Sequence, residues 1–221
     1  MFYYGNIFKM NTLDSIMDSY ENLPDVEIKP NGEISKIFLE LGITTFKDAC
    51  NYVHNIEYGY NTTYKNKLIL FIEHIGTCTT KHAVIGGLAE ELNIPLHKHV
   101  GIYKFTEEIS SGANKILKKY NIPYVPMAHC FLVYKDFRFD LTEGNCNGKN
   151  TTIKSFIHEE EVDPFISRKE EYLLYKRVLK EKVLPSKEME GTKERTLLKA
   201  REESIILLKE NVEKQKKLRN N

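Results

Sequence analysis

The stretch EHIGTCTTKHAVIGGLAEEL, residues 73–92, decides how the rest of the chain is read. A Gly-Thr-Cys step runs into a helical pattern. Ile85, Leu88, Ala89 and Leu92 form one stripe, and Asn93 and Pro95 stop it. Thr77 suits the N-cap, which makes Cys78 the first helical residue. Unpaired N–H groups and the helix dipole favour negative charge there, so a thiol in that place is pushed toward thiolate. His82 follows one turn later on the same face. Three roles fit such a cysteine: a buried core residue, common for free Cys, a metal ligand with His82, or a nucleophile.

Two helical patterns precede this stretch, SKIFLELGI (35–43) and TFKDACNYVHNI (45–56). The second places Phe46, Ala49, Cys50, Val53 and His54 at helix spacing. EYGYNTTYKN (57–66) is rich in Tyr, Asn and Gly and is expected to be a loop, whereas KLILFIEH (67–74) is apolar without a decisive period. Beyond the central helix, LHKHVGIYKF (96–105) alternates as a strand, and ANKILKKYNIP (113–123) is a short helix ended by Pro123.

MAHCFLVYKDFRFDLTEG (127–144) carries the clearest hairpin signal. Met127, His129, Phe131 and Val133 share one strand face; Ala128, Cys130, Leu132 and Tyr134 share the other. An even turn centred on Lys135-Asp136 pairs Phe131 with Asp140 and His129 with Thr142. Asp140 is then the diagonal neighbour of His129, with Cβ atoms within ~8 Å. A carboxylate there can fix the tautomer of the imidazole and stabilise its cation. An odd turn shifts the register by one and takes Asp140 off that face.

The combination is more specific than its parts. His129 lies 51 residues after Cys78 and Asp140 another 11 after that; the cysteine opens a helix, and the other two are expected on adjacent strands. From about residue 45 to 144 the chain resembles the transglutaminase-like branch of the papain-type cysteine enzymes. The resemblance runs through the Tyr-Gly loop, the GTC helix, the NIPLHKHVGIYKF strand and the hairpin. It implies an α+β fold with Cys78 at the start of a helix packed on an antiparallel sheet that carries His129 and Asp140. It also implies amide hydrolysis or acyl transfer through a thioester, with a Cys78–His129–Asp140 triad and no cofactor. The backbone N–H of Cys78, with Tyr58 or Asn61 from the preceding loop, is the expected oxyanion or substrate contact. The acyl donor is a protein, a peptide or a small molecule. Animal transglutaminases carry a Trp beside the active site and extra β-sandwich domains. This chain has no Trp, so calcium-dependent cross-linking is not implied. Classical papain-type proteases place His much further from Cys and match less well.

Two other classes compete. A non-catalytic binding module of the same fold is one. A metal protein is the other, with Cys78, His82, His97, His99, Cys130 and Cys146 as its ligand types, but the tight paired spacing of structural zinc sites is missing. No metal is expected. His82 is more simply a core residue or one that supports the site, and Cys130 should point away from the His129 face.

Composition bounds the remainder. With 41% hydrophobic and 29% charged residues the chain suits a globular protein, and a net charge of +1 gives no case for nucleic acid. The charge is uneven: residues 167–221 carry a net of +6 against −5 for residues 1–166. The expected division is therefore a catalytic domain over 1–166 and a charged helical extension over 167–221. In that extension Leu198, Ile205, Leu208 and Val212 form an apolar stripe that calls for docking on the domain itself or on a second copy. MFYYGNIFKMN lacks the features of a signal peptide, no run spans a membrane, and the four cysteines show no CxxC pairing. Free thiols in a reducing cytoplasm are the simplest expectation.

Overall fold

The computed structural model describes residues 20–220. The expected start of the first domain and the reading of MFYYGNIFKMN lie outside the described residues. In chain order the elements are α1 (Glu33–Glu40), α2 (Phe46–Asn55), β1 (Glu57–Tyr58), α3 (Ile69–Glu73), β2 (Ile75–Gly76) and α4 (Cys78–Glu91). These are followed by β3 (Leu96–Phe105), α5 (Ala113–Tyr120), β4 (Val125–Tyr134), β5 (Phe137–Phe139) and β6 (His158–Glu161). The chain ends in α6 (Arg168–Val178), which runs into a π turn (Leu179–Val183), a 3-10 turn (Lys187–Met189) and α7 (Glu194–Asn220). The fold is α+β. Its four-stranded sheet has the order β5-β4-β3-β6, and every neighbour is antiparallel.

Local chemistry sets the helix starts. Thr45 Oγ1 accepts the Asp48 N–H at 3.1 Å, and Ser167 exchanges bonds with Glu170 in a capping box. The apolar run of uncertain type becomes the single turn and a half of α3, ended by His74 in the left-handed region. The hairpin turns through Lys135 at φ 55° and pairs Leu132 with Phe139, Val133 with Arg138 and Tyr134 with Phe137, the register of an even turn.

α4 departs from its expected single stripe. Every residue from Thr80 to Ala89 is buried, because α1, α2 and α3 cover one side of the helix while β3 and β4 cover the other. Gly87 permits this approach: a Cβ there would lie 2.7 Å from both Ile34 Cδ1 and Phe165 Cε2. Leu92, expected on the stripe, sits at the C-cap and is only half-buried. One hydrophobic cluster fills the space between α1–α4 and the sheet, including Phe38, Phe46, Leu88, Leu132 and Phe139. A second cluster joins the sheet to α5, α6 and α7, including Tyr103, Met127, Tyr175 and Leu197.

α7 packs onto its own chain along Leu197, Ala200, Ser204, Leu208, Asn211 and Val212. The expected stripe was rotated relative to this face: Leu208 and Val212 are buried, while Leu198 and Ile205 are only half-buried at its edge. Polar residues explain the offset. Ser204 is buried by bonding Ala200 O at 2.9 Å, and Asn211 by bonding Ser110 Oγ and Ser111 O, each at 2.9 Å. Among the described residues no helix is long and apolar enough to cross a membrane.

Candidate active site

α4 delivers Cys78 from its first position, and a two-residue parallel ribbon fixes what stands beside it. Glu57 pairs with Ile75 and Tyr58 with Gly76, so the Tyr-Gly loop is tied to the segment entering α4. Gly76 has no room for a side chain: a Cβ would lie 2.4 Å from Leu70 Cδ1 and 2.8 Å from Thr80 Oγ1. Thr77 occupies the N-cap with extended backbone, but its hydroxyl oxygen is buried with no hydrogen bond among the described residues. Thr80 Oγ1 accepts the Thr77 N–H at 3.1 Å in its place and donates to Asn61 Oδ1 at 2.9 Å.

His129 projects from β4, and its Nε2 donates to Asp140 Oδ2 at 2.6 Å. Asp140 was expected on the second strand, yet β5 ends at Phe139. The physical reason is an Asx turn. Asp140 Oδ1 accepts the Thr142 N–H at 2.9 Å and the Thr142 hydroxyl at 2.6 Å, which draws the chain out of the ladder. Thr142 therefore does not face His129 across a pair of strands. Both carboxylate oxygens are engaged, so the carboxylate is held in one orientation. With Nε2 committed to Asp140, Nδ1 is the ring nitrogen left for the Cys78 thiol, whose ionisation His129 favours.

The electrostatics of the three groups agree in direction. The neighbouring Cys130 is the largest influence holding the Cys78 thiol well below its usual value. Burial opposes it, and the charge and hydrogen bond of His129 and the charge of Lys149 reinforce it. Burial disfavours a charged His129, but the Asp140 carboxylate, the Cys78 thiolate and the hydrogen bond to Asp140 outweigh it and raise the imidazole to about 9. Burial likewise works against the Asp140 anion, and His129 overcomes it, leaving that carboxyl below the ordinary range. All three shifts favour a thiolate, an imidazolium and a carboxylate over the neutral forms.

The surrounding shell differs from expectation in several places. Tyr58 is buried beside the thiol. Burial and then the Cys78 charge hold its hydroxyl, with those of Tyr60 and Tyr103, above the usual phenol range. Tyr103 comes from β3, its ring edge-on to His129 at 6.4 Å, and carries no sequence signal beyond strand alternation. Asn61 is not free to donate to a substrate, because its amide bonds Glu73 Oε2 at 2.9 Å and Ile75 O at 2.8 Å. It is a strut between the loop and α4. Cys130 was expected to point away from the site; it lies at the contact of α4 with β4, its Sγ 3.8 Å from Thr79 Oγ1, and it acts on the Cys78 thiol. Its own thiol is raised first by Cys78 and then by burial.

His82 is fully buried and joins α4 to the segment after Asp140. Its Nδ1 donates to Cys78 O at 2.7 Å, and its Nε2 accepts the Leu141 N–H at 2.8 Å. Accepting the Leu141 N–H needs the neutral ring, and burial lowers its pKa to about 4. A base lowered in the folded state adds stability that is complete above its unfolded pKa, near 6.5, and is lost as pH falls toward 4. His82→Leu should therefore lower stability at pH 7. It should also remove about 1–2 kcal/mol from the stability loss between pH 7 and pH 5, measured by urea denaturation at both values. An unchanged pH dependence would contradict this role.

The possible metal ligands do not converge. His97 pairs with Glu161 at 3.1 Å, His99 lies against Phe131 with ring centroids 5.8 Å apart, and Cys146 sits on a loop at φ 46°. Among the described residues no three His, Cys, Asp or Glu side chains are grouped to hold a metal ion. All four cysteines are free.

α7 contributes to the site from a distance. Gln215 accepts the Gly148 N–H at 2.8 Å and donates to Lys149 O at 2.9 Å, which fixes the loop whose Lys149 charge acts on Cys78 and Asp140. Lys209 lies 4.6 Å over the Tyr60 ring. On the other side of His129 a cavity of about 210 Å³ opens against Asp140, walled by Phe131, Phe139, Phe156 and Glu143. Burial and the nearby Asp140 raise the Glu143 carboxyl to about 7. Comparison of the chain with protein-family models, with curated proteins and with solved structures gives no significant match.

Proposed function

We propose that this protein is a cysteine-nucleophile enzyme that hydrolyses amides or transfers acyl groups through a thioester on Cys78. The observation that carries the reading is the 2.6 Å imidazole–carboxylate bond of His129 and Asp140, with Cys78 at the start of a buried helix and its ionisation favoured by His129. The thiolate attacks the acyl carbonyl, and the Cys78 N–H, with the Tyr58 hydroxyl beside it, stabilises the oxyanion. As the tetrahedral intermediate collapses, the imidazolium gives its proton to the departing amine or alcohol. The neutral imidazole then takes a proton from the incoming water or amine, whose attack releases the acyl group and restores the thiolate. Asp140 orients the ring and stabilises its cation throughout. The arrangement and the order of its residues support a papain-like, transglutaminase-like core, with residues to about 166 forming the catalytic unit and α6 and α7 as its docked extension. Its acyl donor is a protein, a peptide or a small molecule, and a reducing cytoplasm suits its free thiols.

The test is direct trapping. Incubation of the full chain with a panel of activated acyl esters, followed by mass spectrometry, is expected to show a hydroxylamine-labile acyl adduct on the peptide containing Cys78. Acylation confined to lysines, or to another cysteine, would overturn the reading.

A further inference from the structure

We propose that Cys78 and Cys130 are a redox pair: a hydroperoxide oxidises Cys78, and Cys130 closes it into a disulfide that switches the nucleophile off reversibly. The inference goes beyond the acyl-transfer reading and rests on the activated thiol at Cys78. Cys130 is 1% exposed, and its Sγ lies 3.8 Å from Oγ1 of Thr79, the residue following Cys78. Cys78 packs against the hydrophobic cluster that holds Cys130, at the contact of α4 with β4, and each thiol acts on the ionisation of the other. No other cysteine shares this place. Cys50 is fully buried in the cluster on the other side of α4, and Cys146 lies on the loop after Thr142.

The two sulfurs are chemically unequal, as the reaction requires. The Cys78 thiolate attacks the peroxide, the O–O bond breaks, and the products are the Cys78 sulfenic acid and an alcohol or water, which takes up one proton. Cys130 then loses its proton, its sulfur attacks the Cys78 sulfur, and the sulfenic oxygen leaves as water with that proton. Two thiols are oxidised and one peroxide is reduced. In the resting state the neighbouring Cys78 thiolate keeps Cys130 protonated. Oxidation of Cys78 removes that partner, so Cys130 becomes easier to ionise at the moment it is needed. The disulfide ties the first residue of α4 to the neighbour of His129, with the sulfur atoms about 2.05 Å apart. Without Cys130 the sulfenic acid has no neighbouring thiol and proceeds to the sulfinic acid, which common thiol reductants do not reverse.

The experiment uses the full chain, reduced and then treated with increasing hydrogen peroxide. Free thiols are blocked, and peptides are mapped without reduction. Iodoacetamide labelling of Cys78 at pH 6 is followed in parallel, each protein being compared with its own untreated sample. In the native sequence the expected product is a linked Cys78–Cys130 peptide, with loss of Cys78 labelling that dithiothreitol restores. In Cys130→Ala, and in Cys130→Ser as a second variant that retains the polar contact, the same treatment should give Cys78 sulfinic acid and labelling that dithiothreitol does not restore. Sulfinic acid at Cys78 of the native protein without the linked peptide would overturn the proposal, as would a bridge to Cys146. If untreated Cys78 is labelled at pH 6 but never linked, only the redox pair fails. If untreated Cys78 is not labelled, both the pair and the nucleophile reading fail.

Discussion

His129→Ala is expected to slow acylation of Cys78 by about 10²–10⁴-fold, the usual scale for removing a positioned general acid–base. Two contributions are lost together. The thiol loses the neighbouring cation and hydrogen bond that help hold it ionised, and the leaving group loses its proton donor. The ring lies against the protein interior and is 3% exposed, so added water at the vacated place is a poor substitute. Asp140→Asn should slow the same reaction less, because Asp140 acts through the imidazole. It should also lower the pH at which His129 deprotonates, since the carboxylate is the chief influence raising it against burial. The measurement is single-turnover appearance of the acyl-enzyme mass, with circular dichroism confirming that each variant is folded. A loss below about 10-fold in folded His129→Ala would rule out a direct role in the chemistry.

Lys81→Met is expected to stabilise the protein by ~1–4 kcal/mol at pH 7, the range seen when buried charges are replaced by apolar side chains of similar volume. Lys81 is fully buried in α4, and its ammonium bonds the carbonyl oxygens of His54 and Ile56 at the end of α2. The Asn145 amide donates to the same two oxygens, so they keep a partner when the ammonium is removed. Burial lowers the Lys81 pKa to about 7, with Asp140 partly offsetting it. For a base lowered this way, stability is complete above the unfolded pKa, near 10.4, and falls as pH drops toward 7. At pH 7 most of that loss has accumulated, and Met, which carries no charge, does not incur it. Urea denaturation at pH 7 measures the difference. A destabilisation above about 2 kcal/mol would mean that the two carbonyls depend on the ammonium rather than on Asn145.

The parts of the fold with strong periodicity were legible in the sequence. The ends of β3 and the start of α4 match the alternation of LHKHVGIYKF and the step at Thr77-Cys78. The hairpin has the register of the even turn, one of the two alternatives left open by the Lys135-Asp136 turn. What was hidden lacked a period. β1 and β2 are two residues each, too short for any pattern, yet they set the Tyr-Gly loop beside Cys78. Asp140 leaves its strand through a side-chain turn that competes with the ladder for its place. The inner face of α7 includes Ser204 and Asn211, whose burial depends on hydrogen bonds that an apolar count does not register. The closeness of Cys130 to the start of α4 could not be read from the strand, because the helix that covers it lies elsewhere in the sequence. Asn61 was a reasonable donor by composition, and the structure spends its amide on Glu73 and Ile75.

The central claim is that Cys78 is an activated thiolate, and alkylation by iodoacetamide at pH 6 tests it most directly. A thiol with the ordinary value of ~8.5 is only ~0.3% ionised at that pH, whereas one held well below that value is ionised to a larger fraction and reacts faster. Peptide mapping should show Cys78 labelled first among the four cysteines, and His129→Ala should remove that lead. An unlabelled Cys78 in the folded protein while Cys146 reacts, or labelling of Cys78 that His129→Ala leaves unchanged, would contradict the account.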